Sequence, residues 1–388
     1  MWRRGSAARF PADSGGESAV DIDRAEVPMA IKEKKAKIKR LRGEIDRLDR
    51  QFVGLLEKRV RLASAIGTLK DRGGAAIHAP EREQQIYSQL ARFKSKVFRA
   101  EDLKAVFREI IHLCRSTQKE FGIAYLGPEA TFTHQVALRG FGRAAKYAPC
   151  RSIPEVFKSV EKGLVDYGVV PIENSLEGVV HETVDMFNVS EVQIAAEYVQ
   201  EISHHLLSTS GDLKKIESVY SHPQALAQCR KWLDKNLPGV PTYPTTSTAD
   251  AAMQAAVDVK AGAIASLFAQ ELYHLKVAAS RIEDFSQNLT RFVALGLKTP
   301  PKTGADKTSL LCVIKDRAGA LYEALEGFKR NGINLTKIES RPSKTKPWEY
   351  IFFVEFLGYA TDAPVKKALR HLSQRSAHVK VLGSYPKA

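Results

Sequence analysis

From Ile38 the apolar residues recur in steps of three and four: Ile38, Leu41, Ile45, Leu48, Phe52 and Leu55, then Leu62, Ile66 and Leu69. That spacing predicts one long helix with a narrow packing seam. A rung is missing between Leu55 and Leu62, and Arg59 stands on it. A charge on an apolar seam is costly unless an opposite charge meets it, so Arg59 marks a buried anion site. Asp71-Arg72-Gly73-Gly74 then breaks the helix. Pro80 opens a second helix, and Leu103, Val106, Phe107, Ile110, Ile111 and Cys114 form the stripe of a third, from Ala100 to about Glu120. Three helices, the first very long, cannot bury their seams alone, which predicts a dimer.

Beyond Phe121 the pattern changes to short apolar runs that end in polar turns and lead into helices. Ile123-Ala-Tyr-Leu126 reads as a strand, and after Gly127-Pro128 both Thr131 and Thr133 are placed to bind an anion at the start of the next helix. Ser152–Gly163 reads as a helix leading to a strand at Tyr167–Val170. Pro171 is expected to end that strand, leaving Glu173, Asn174 and Ser175 at its tip. The same unit recurs at Val219-Tyr-Ser-His-Pro-Gln224-Ala-Leu226 and at Gly262-Ala-Ile-Ala-Ser266, with Ser266 at a helix cap. Such units predict a mostly parallel sheet in two lobes, with a ligand crevice at the strand ends. Asn288-Leu-Thr290-Arg291-Phe292 closes the domain before Val293–Leu297.

After a linker at Pro300–Asp306 the order is strand (Thr308–Lys315), helix (Gly319–Asn331), strand (Ile333–Ser340), strand (Tyr350–Leu357), helix (Ala363–Ser373) and strand (His378–Ser384). That order is a ferredoxin-like α+β unit.

Composition narrows the class. A 44% hydrophobic and 27% charged chain of 388 residues is long enough for two or three globular domains. No apolar run approaches 18 residues, so no membrane span is expected. The opening segment carries Arg3, Arg4 and Arg9 without an apolar core, and residues 1–32 read as a disordered extension rather than a signal peptide. Cys114, Cys150, Cys229 and Cys312 are far apart, which points to neither disulfides nor zinc but to a reducing, cytoplasmic setting. The net charge of +15 comes without a nucleic-acid-binding motif, and small polyanionic substrates gripped by arginines account for it as well.

Helix geometry says more about the cations. Arg59 and Lys70 lie close to three turns apart on one face, about 16 Å at Cα. Arg42, seventeen residues before Arg59, is about 26 Å away along the axis on another face. If Arg42 contributes to the same site, it comes from a second copy of the chain.

Leu41-Arg42-x-x-Ile45-x-x-Leu48-Asp49, Leu55-Leu56-x-x-Arg59, Lys70, Arg82-Glu83 and Thr117-Gln118 together resemble the all-helical chorismate mutases. The resemblance implies that Arg42 of a partner chain, Arg59, Lys70, Arg82, Glu83 and Gln118 line a site for the carboxylates and ether oxygen of chorismate. Such a site needs no nucleophile. It holds the compact conformer and stabilises charge growing on the ether oxygen. The chain departs from the family in having Ala79 where Asp is usual and Cys114 where some members have Ser. Neither departure removes a cation.

Gly127-Pro-x-Ala-Thr131-Phe-Thr-His, Pro171-Ile-Glu173-Asn174-Ser175-x-x-Gly, Tyr220-Ser-His-Pro-Gln224-Ala-Leu, Gly262-Ala-Ile-Ala-Ser266 and Thr290-Arg-Phe resemble the prephenate dehydratases, with Ala130 where Gly is usual. That resemblance implies a two-lobed α/β domain, periplasmic-binding-protein-like, with its site in the interlobe cleft. Thr290 corresponds to the key residue, with Asn174, Ser175, Thr131 and Gln224 beside it and Glu173, Ser266, Arg291 and Phe292 as further substrate-binding candidates. Asp316-Arg-Ala-Gly319-Ala320-Leu321 and Glu339-Ser340-Arg341-Pro342 resemble the phenylalanine-binding motifs of ACT domains, in which Gly319, Ala320, Leu321, Glu339, Ser340 and Arg341 surround the effector, usually across a subunit interface.

The expected architecture is therefore a helical mutase domain (33–120), a dehydratase domain (121–298) and an ACT domain (303–388). The resemblance implies a bifunctional enzyme that turns chorismate into prephenate and then phenylpyruvate under phenylalanine feedback. It implies no cofactor, metal, nucleic acid or membrane partner, and a homodimer or homotetramer. Whether prephenate or arogenate is preferred stays open.

Overall fold

The computed structural model describes residues 29–72, 80–93, 95–117, 121–314, 317–342 and 350–388. The chain divides into two units, 1–57 and 58–388. The expected extension lies outside the described residues as far as residue 28, and Gln118, Lys315 and Asp316 also lie outside them. Among the described residues, no helix is long and apolar enough to cross a membrane.

Three helices come first: α1 (Met29–Arg72), α2 (Pro80–Arg92) and α3 (Ala100–Ser116). Helix α1 starts four residues before the expected boundary at 33. Its seam residues, from Ile38 through Phe52 to Leu69, are all exposed. Helix α3 instead buries Ile111, His112, Cys114 and Arg115, and Thr117 caps its end.

The next part is two-lobed. The first lobe holds β1 (Gly122–Leu126), α4 (Phe132–Phe141), β2 (Lys146–Cys150), α5 (Ile153–Glu161), β3 (Tyr167–Asn174), β4 (Gly178–Val179), α6 (His181–Val189) and β5 (Gln193–Glu201). The chain crosses into the second lobe through β6 (His205–Ser208), β7 (Ser218–Ser221), α7 (Pro223–Gln228), α8 (Arg230–Asn236), β8 (Thr242–Pro244), α9 (Thr248–Val257), β9 (Ala261–Ala265), α10 (Leu267–Leu272) and β10 (Lys276–Ala279). It returns to the first lobe as β11 (Leu289–Gly296).

The sheets run β2-β1-β3-β11-β5, with β4 beside β3, and β10-β6-β9-β7-β8. Only the β1, β2, β3 and the β7, β8, β9 pairings are parallel. The expected mostly parallel sheet is thus a mixed one. The two lobe crossings are the reason, because β11 re-enters the first sheet antiparallel to both β3 and β5.

Pro171 does not end its strand either. Strand β3 runs on to Asn174, and the register slips by one residue there, with Phe292 opposite Pro171 and Arg291 opposite Glu173. On the other edge β1 has already stopped pairing at Val169, so the missing N–H of Pro171 costs no ladder bond on that side.

The last unit has β12 (Asp306–Ile314), α11 (Ala320–Arg330), β13 (Leu335–Pro342), β14 (Tyr350–Leu357), α12 (Ala363–Arg375) and β15 (Ser376–Pro386) in the antiparallel order β13-β14-β12-β15. This is the expected ferredoxin-like arrangement. It is packed firmly onto the first lobe: Leu311, Phe353, Leu382 and Tyr385 share one buried core with Ile172, Ile194 and Val293. Gly383 lies so close to β5 that a Cβ there would fall 2.4 Å from the Ile194 carbonyl oxygen.

Candidate active site

A cavity of about 780 Å³ opens between the two lobes. Its first-lobe wall carries Thr131, Asn174, Thr290 and Phe292, and its second-lobe wall carries Gln224 and Gln228. Thr133 lines it too, so six of the predicted residues meet on one cavity. The N-termini of α4 and α9 open onto it through Thr131 and Thr248. Arg151 is the one arginine or lysine among the described residues of its wall. Helix N-termini with a cation nearby suit a ligand that carries carboxylates.

Strand pairing sets the centre of the site. Asn174 and Thr290 are cross-strand partners on β3 and β11, and Asn174 Nδ2 donates to Thr290 Oγ1 at 2.8 Å and to Asn288 Oδ1 at 2.7 Å. Asn174 Oδ1 accepts from the backbone N–H of Leu176 and Glu177, at 3.0 and 3.2 Å. A backbone N–H can only donate, so these two bonds fix which way the Asn174 amide faces. Asn288 Nδ2 in turn donates to Gln228 Oε1 at 3.1 Å, and Gln228 Oε1 lies 2.9 Å from His204 Nε2. That ring nitrogen therefore carries a hydrogen. A chain of bonds thus links the lobe crossing at His204 to Thr290, with Gln228 Oε1 accepting from both its neighbours and Asn174 Nδ2 donating to both of its own. Burial holds the His204 imidazole below its ordinary pKa, against the opposing effects of Gln228 and Glu283.

Other predicted residues have structural tasks. Thr131 caps α4, accepting from His134 N at 3.3 Å and donating to Leu126 O at 3.0 Å. Ser175 is exposed and off the cavity wall, where it donates to Gln287 O and accepts from Leu289 N, pinning the start of β11. Ser266 is buried off the wall and caps α10 by accepting from Ala269 N at 3.1 Å. Glu173 and Arg291 face away from the cavity, toward the C-terminal sheet.

Asn288, Gln228, His204 and Arg151 were not foreseen. Asn288 stands just ahead of β11, two residues before Thr290, and Gln228 lies one helical turn beyond Gln224, so both positions were open to a pattern reading. Nothing local marks His204 or Arg151.

In the helical part, Arg59 Nη1 donates to Cys114 Sγ at 2.7 Å, bringing α1 to α3. Its partner is a thiol, so no carboxylate in this contact neutralises the guanidinium. Glu83 on α2 pairs with the buried Arg115 at 3.0 Å. Burial raises the pKa of Glu83, which Arg115 partly offsets. Arg82 is exposed and bonds Gln85 Oε1 at 3.1 Å, apart from this cluster. Arg42 is exposed on α1, and Lys70 belongs to the same helix.

In the C-terminal unit Gly319, just ahead of α11, has φ 77°, a left-handed backbone that favours glycine. Leu321 is exposed and Ala320 buried. Strand β13 carries Glu339, Ser340 and Arg341 at the sheet edge, with β14 between it and β12. Arg341 pairs with Asp185 at 2.9 Å and donates to the His181 carbonyl.

Family models match in the same order: chorismate mutase type II over residues 41–119, prephenate dehydratase over 123–300 and the ACT domain over 308–373. The bifunctional chorismate mutase/prephenate dehydratase of Aquifex aeolicus is 50% identical over 355 residues, spanning 90% of this chain and 98% of that protein. The protein of the same name from Pseudomonas aeruginosa is 40% identical, with the same coverage. Among solved structures, the prephenate dehydratase of Arthrobacter aurescens in complex with L-Phe aligns with a TM-score of 0.63 and 37% identity, over 69% of this chain and 90% of that one. Three matched domains in one order, and a relative half-identical along nearly its whole length, place this chain in the bifunctional chorismate mutase/prephenate dehydratase family.

Proposed function

We propose that the chain catalyses two consecutive steps of phenylalanine biosynthesis, chorismate to prephenate and prephenate to phenylpyruvate, and that phenylalanine inhibits it through the C-terminal unit. In the dehydratase step the carboxylate leaves as CO₂, its bonding electrons enter the ring, and the ring hydroxyl departs. Thr290 donates a hydrogen bond to that hydroxyl. The observation that carries this reading is the Asn174–Thr290 bond on the cavity wall: the threonine oxygen accepts from the amide and keeps its own proton for a ligand. Arg151 and the N-termini of α4 and α9 grip the two carboxylates, and Phe292 packs against the ring.

For the mutase step we assign Arg59, Lys70, Arg82, Glu83 and Gln118 to one chain and Arg42 to a second copy. The exposed apolar seam of α1 supports a dimer, in which a second copy would bury it. Phenylalanine binds between Gly319–Leu321 and Glu339–Arg341. The second segment lies on β13 and the first precedes and opens α11 after β12, and β14 separates those two strands in the sheet, which supports a site shared between two copies. The L-Phe complex of the Arthrobacter relative supports the effector's identity.

Assay of the purified protein on chorismate, prephenate and arogenate, with and without phenylalanine, tests the reading. Turnover of chorismate and prephenate, with the second inhibited by phenylalanine, is expected. Absence of either turnover overturns the assignment of that domain, and indifference to phenylalanine overturns the regulatory assignment.

A further inference from the structure

Successive side chains of a strand point to opposite faces of its sheet. On β3 and β11 this alternation turns Asn174 and Thr290 into the cavity, and turns their chain neighbours Glu173 and Arg291 toward the ACT sheet. There Arg291 is bound by three carboxylates: Nε donates to Glu173 Oε2 at 3.1 Å, and Nη1 lies 3.1 Å from Glu197 and 2.8 Å from Glu355. Lys307 of β12 adds contacts to Glu197 at 2.5 Å and to Glu355 at 3.5 Å. Lys337 of β13 closes the network by pairing with Glu173. Three acids thus meet three bases, one from each of β12 and β13 and one from β11. Burial alone would push the Glu355 carboxyl up, but Arg291 and Lys307 hold it below the usual range.

We propose that Glu173 and Arg291 are positioning residues of the dehydratase, which hold Asn174 and Thr290 from behind and pass to them the position of β13 through Lys337. Neither touches the cavity, so neither binds substrate. The geometry of β13 supplies the lever. Lys337 shares one face of that strand with Glu339 and Arg341, and the two basic residues of that face reach the first lobe, at Glu173 and at Asp185 of α6. A ligand that shifts β13 therefore pulls on the residue adjoining Asn174. Elsewhere the ACT unit is anchored to the lobe by a buried apolar core, by the buried pairs of Lys307 and Glu355, and by Lys380, which bonds Ser190 O and Glu191. The β13 edge, by contrast, is held by partly exposed ion pairs, the contacts most readily exchanged. The proposal rests on the reading of phenylalanine as effector.

Two variants test it. For Lys337→Met, kcat and KM without effector are expected to stay within about twofold of wild type. Phenylalanine, followed by calorimetry, is expected to bind still, while the concentration for half-inhibition rises about fivefold or more. Lys337→Arg is expected to restore inhibition. For Glu173→Gln, kcat for prephenate is expected to fall about tenfold with KM unchanged. If Lys337→Met binds phenylalanine and is inhibited like wild type, the lever is overturned. A steep rise in KM at unchanged kcat in Glu173→Gln makes Glu173 a substrate ligand and overturns the positioning role. Failure of the wild type itself to bind phenylalanine refutes the effector reading instead, and the Glu173→Gln kinetics, which need no effector, still decide the positioning role, as they do if Lys337→Met does not fold.

Discussion

Asn174 Nδ2 donates to Thr290 Oγ1 across the β3–β11 ladder at 2.8 Å, and the direction of that bond is set by two backbone N–H groups at the other end of the same amide. An amide turned the other way would take the threonine proton and leave nothing to donate to a departing hydroxyl. Reversing it would also set Asn174 Nδ2 against two N–H donors, at a cost of about 1–3 kcal/mol for each unsatisfied buried group. The turn after β3 therefore selects the hydrogen-bonding role of Thr290.

Arg59 stands on the seam with a thiol as its partner, so its charge is available to an anion. Arg59→Ala is expected to abolish mutase turnover while dehydratase turnover survives. Mixing an Arg42→Ala chain with an Arg59→Ala chain is expected to restore part of the activity, because one hybrid site then holds both arginines. Verified mixed dimers that stay inactive count against shared sites.

How far the sequence disclosed this site depended on whether a signal was periodic. The seam of α1, with Arg59 interrupting it, was legible because helix spacing writes it out. Thr290 and Asn174 were reached through their segments. Reading those segments as contiguous words grouped Glu173 and Arg291 with the substrate, whereas strand alternation turns them to the opposite face. The ion network they join draws on residues from Glu173 to Glu355, and only the fold brings such distant positions together. Pro171 within β3 was hidden for a related reason: a proline is tolerated where a bulge and an ended neighbour remove the need for its N–H.

Ala130 has φ 64° and is 1% exposed, at the turn that carries Thr131. A left-handed alanine costs roughly 1–2 kcal/mol. Glycine would relieve that strain but would lose a buried methyl and add freedom to the unfolded chain, so Ala130→Gly should change stability by less than about 1 kcal/mol. Ala130→Val adds both bulk and a β-branch, and should cost roughly 2–4 kcal/mol. Denaturant melts of the two variants check this. Equal tolerance of both would argue against a left-handed backbone here.

His112 on α3 packs against Gly142, with its pKa lowered to about 3 by burial first, then by Arg115 and Arg108. The Gly140 backbone offsets this only in part, and exposed Glu109 lies 3.9 Å from the ring. The unfolded chain takes up a proton near the ordinary value of 6.5 while the folded chain resists, so this contribution to stability is full above about 6.5 and falls as the pH drops toward about 3. His134, His204, His205 and His222 are shifted the same way. The denaturation midpoint should therefore fall between about pH 7 and pH 5, and less steeply in His112→Gln. An unchanged slope in that variant would place the acid sensitivity elsewhere.

Steady-state kinetics of Thr290→Val and Thr290→Ser on prephenate test the central claim most directly, because valine keeps the shape and serine keeps the proton. The leaving-group bond grows in the transition state, so its loss falls on kcat rather than on KM. Thr290→Val is expected to lose about 10²–10³ in kcat at nearly constant KM, and Thr290→Ser to retain most of the rate. A steep rise in KM with kcat preserved in Thr290→Val would contradict the account, since Thr290 would then bind the substrate and another donor would release its hydroxyl.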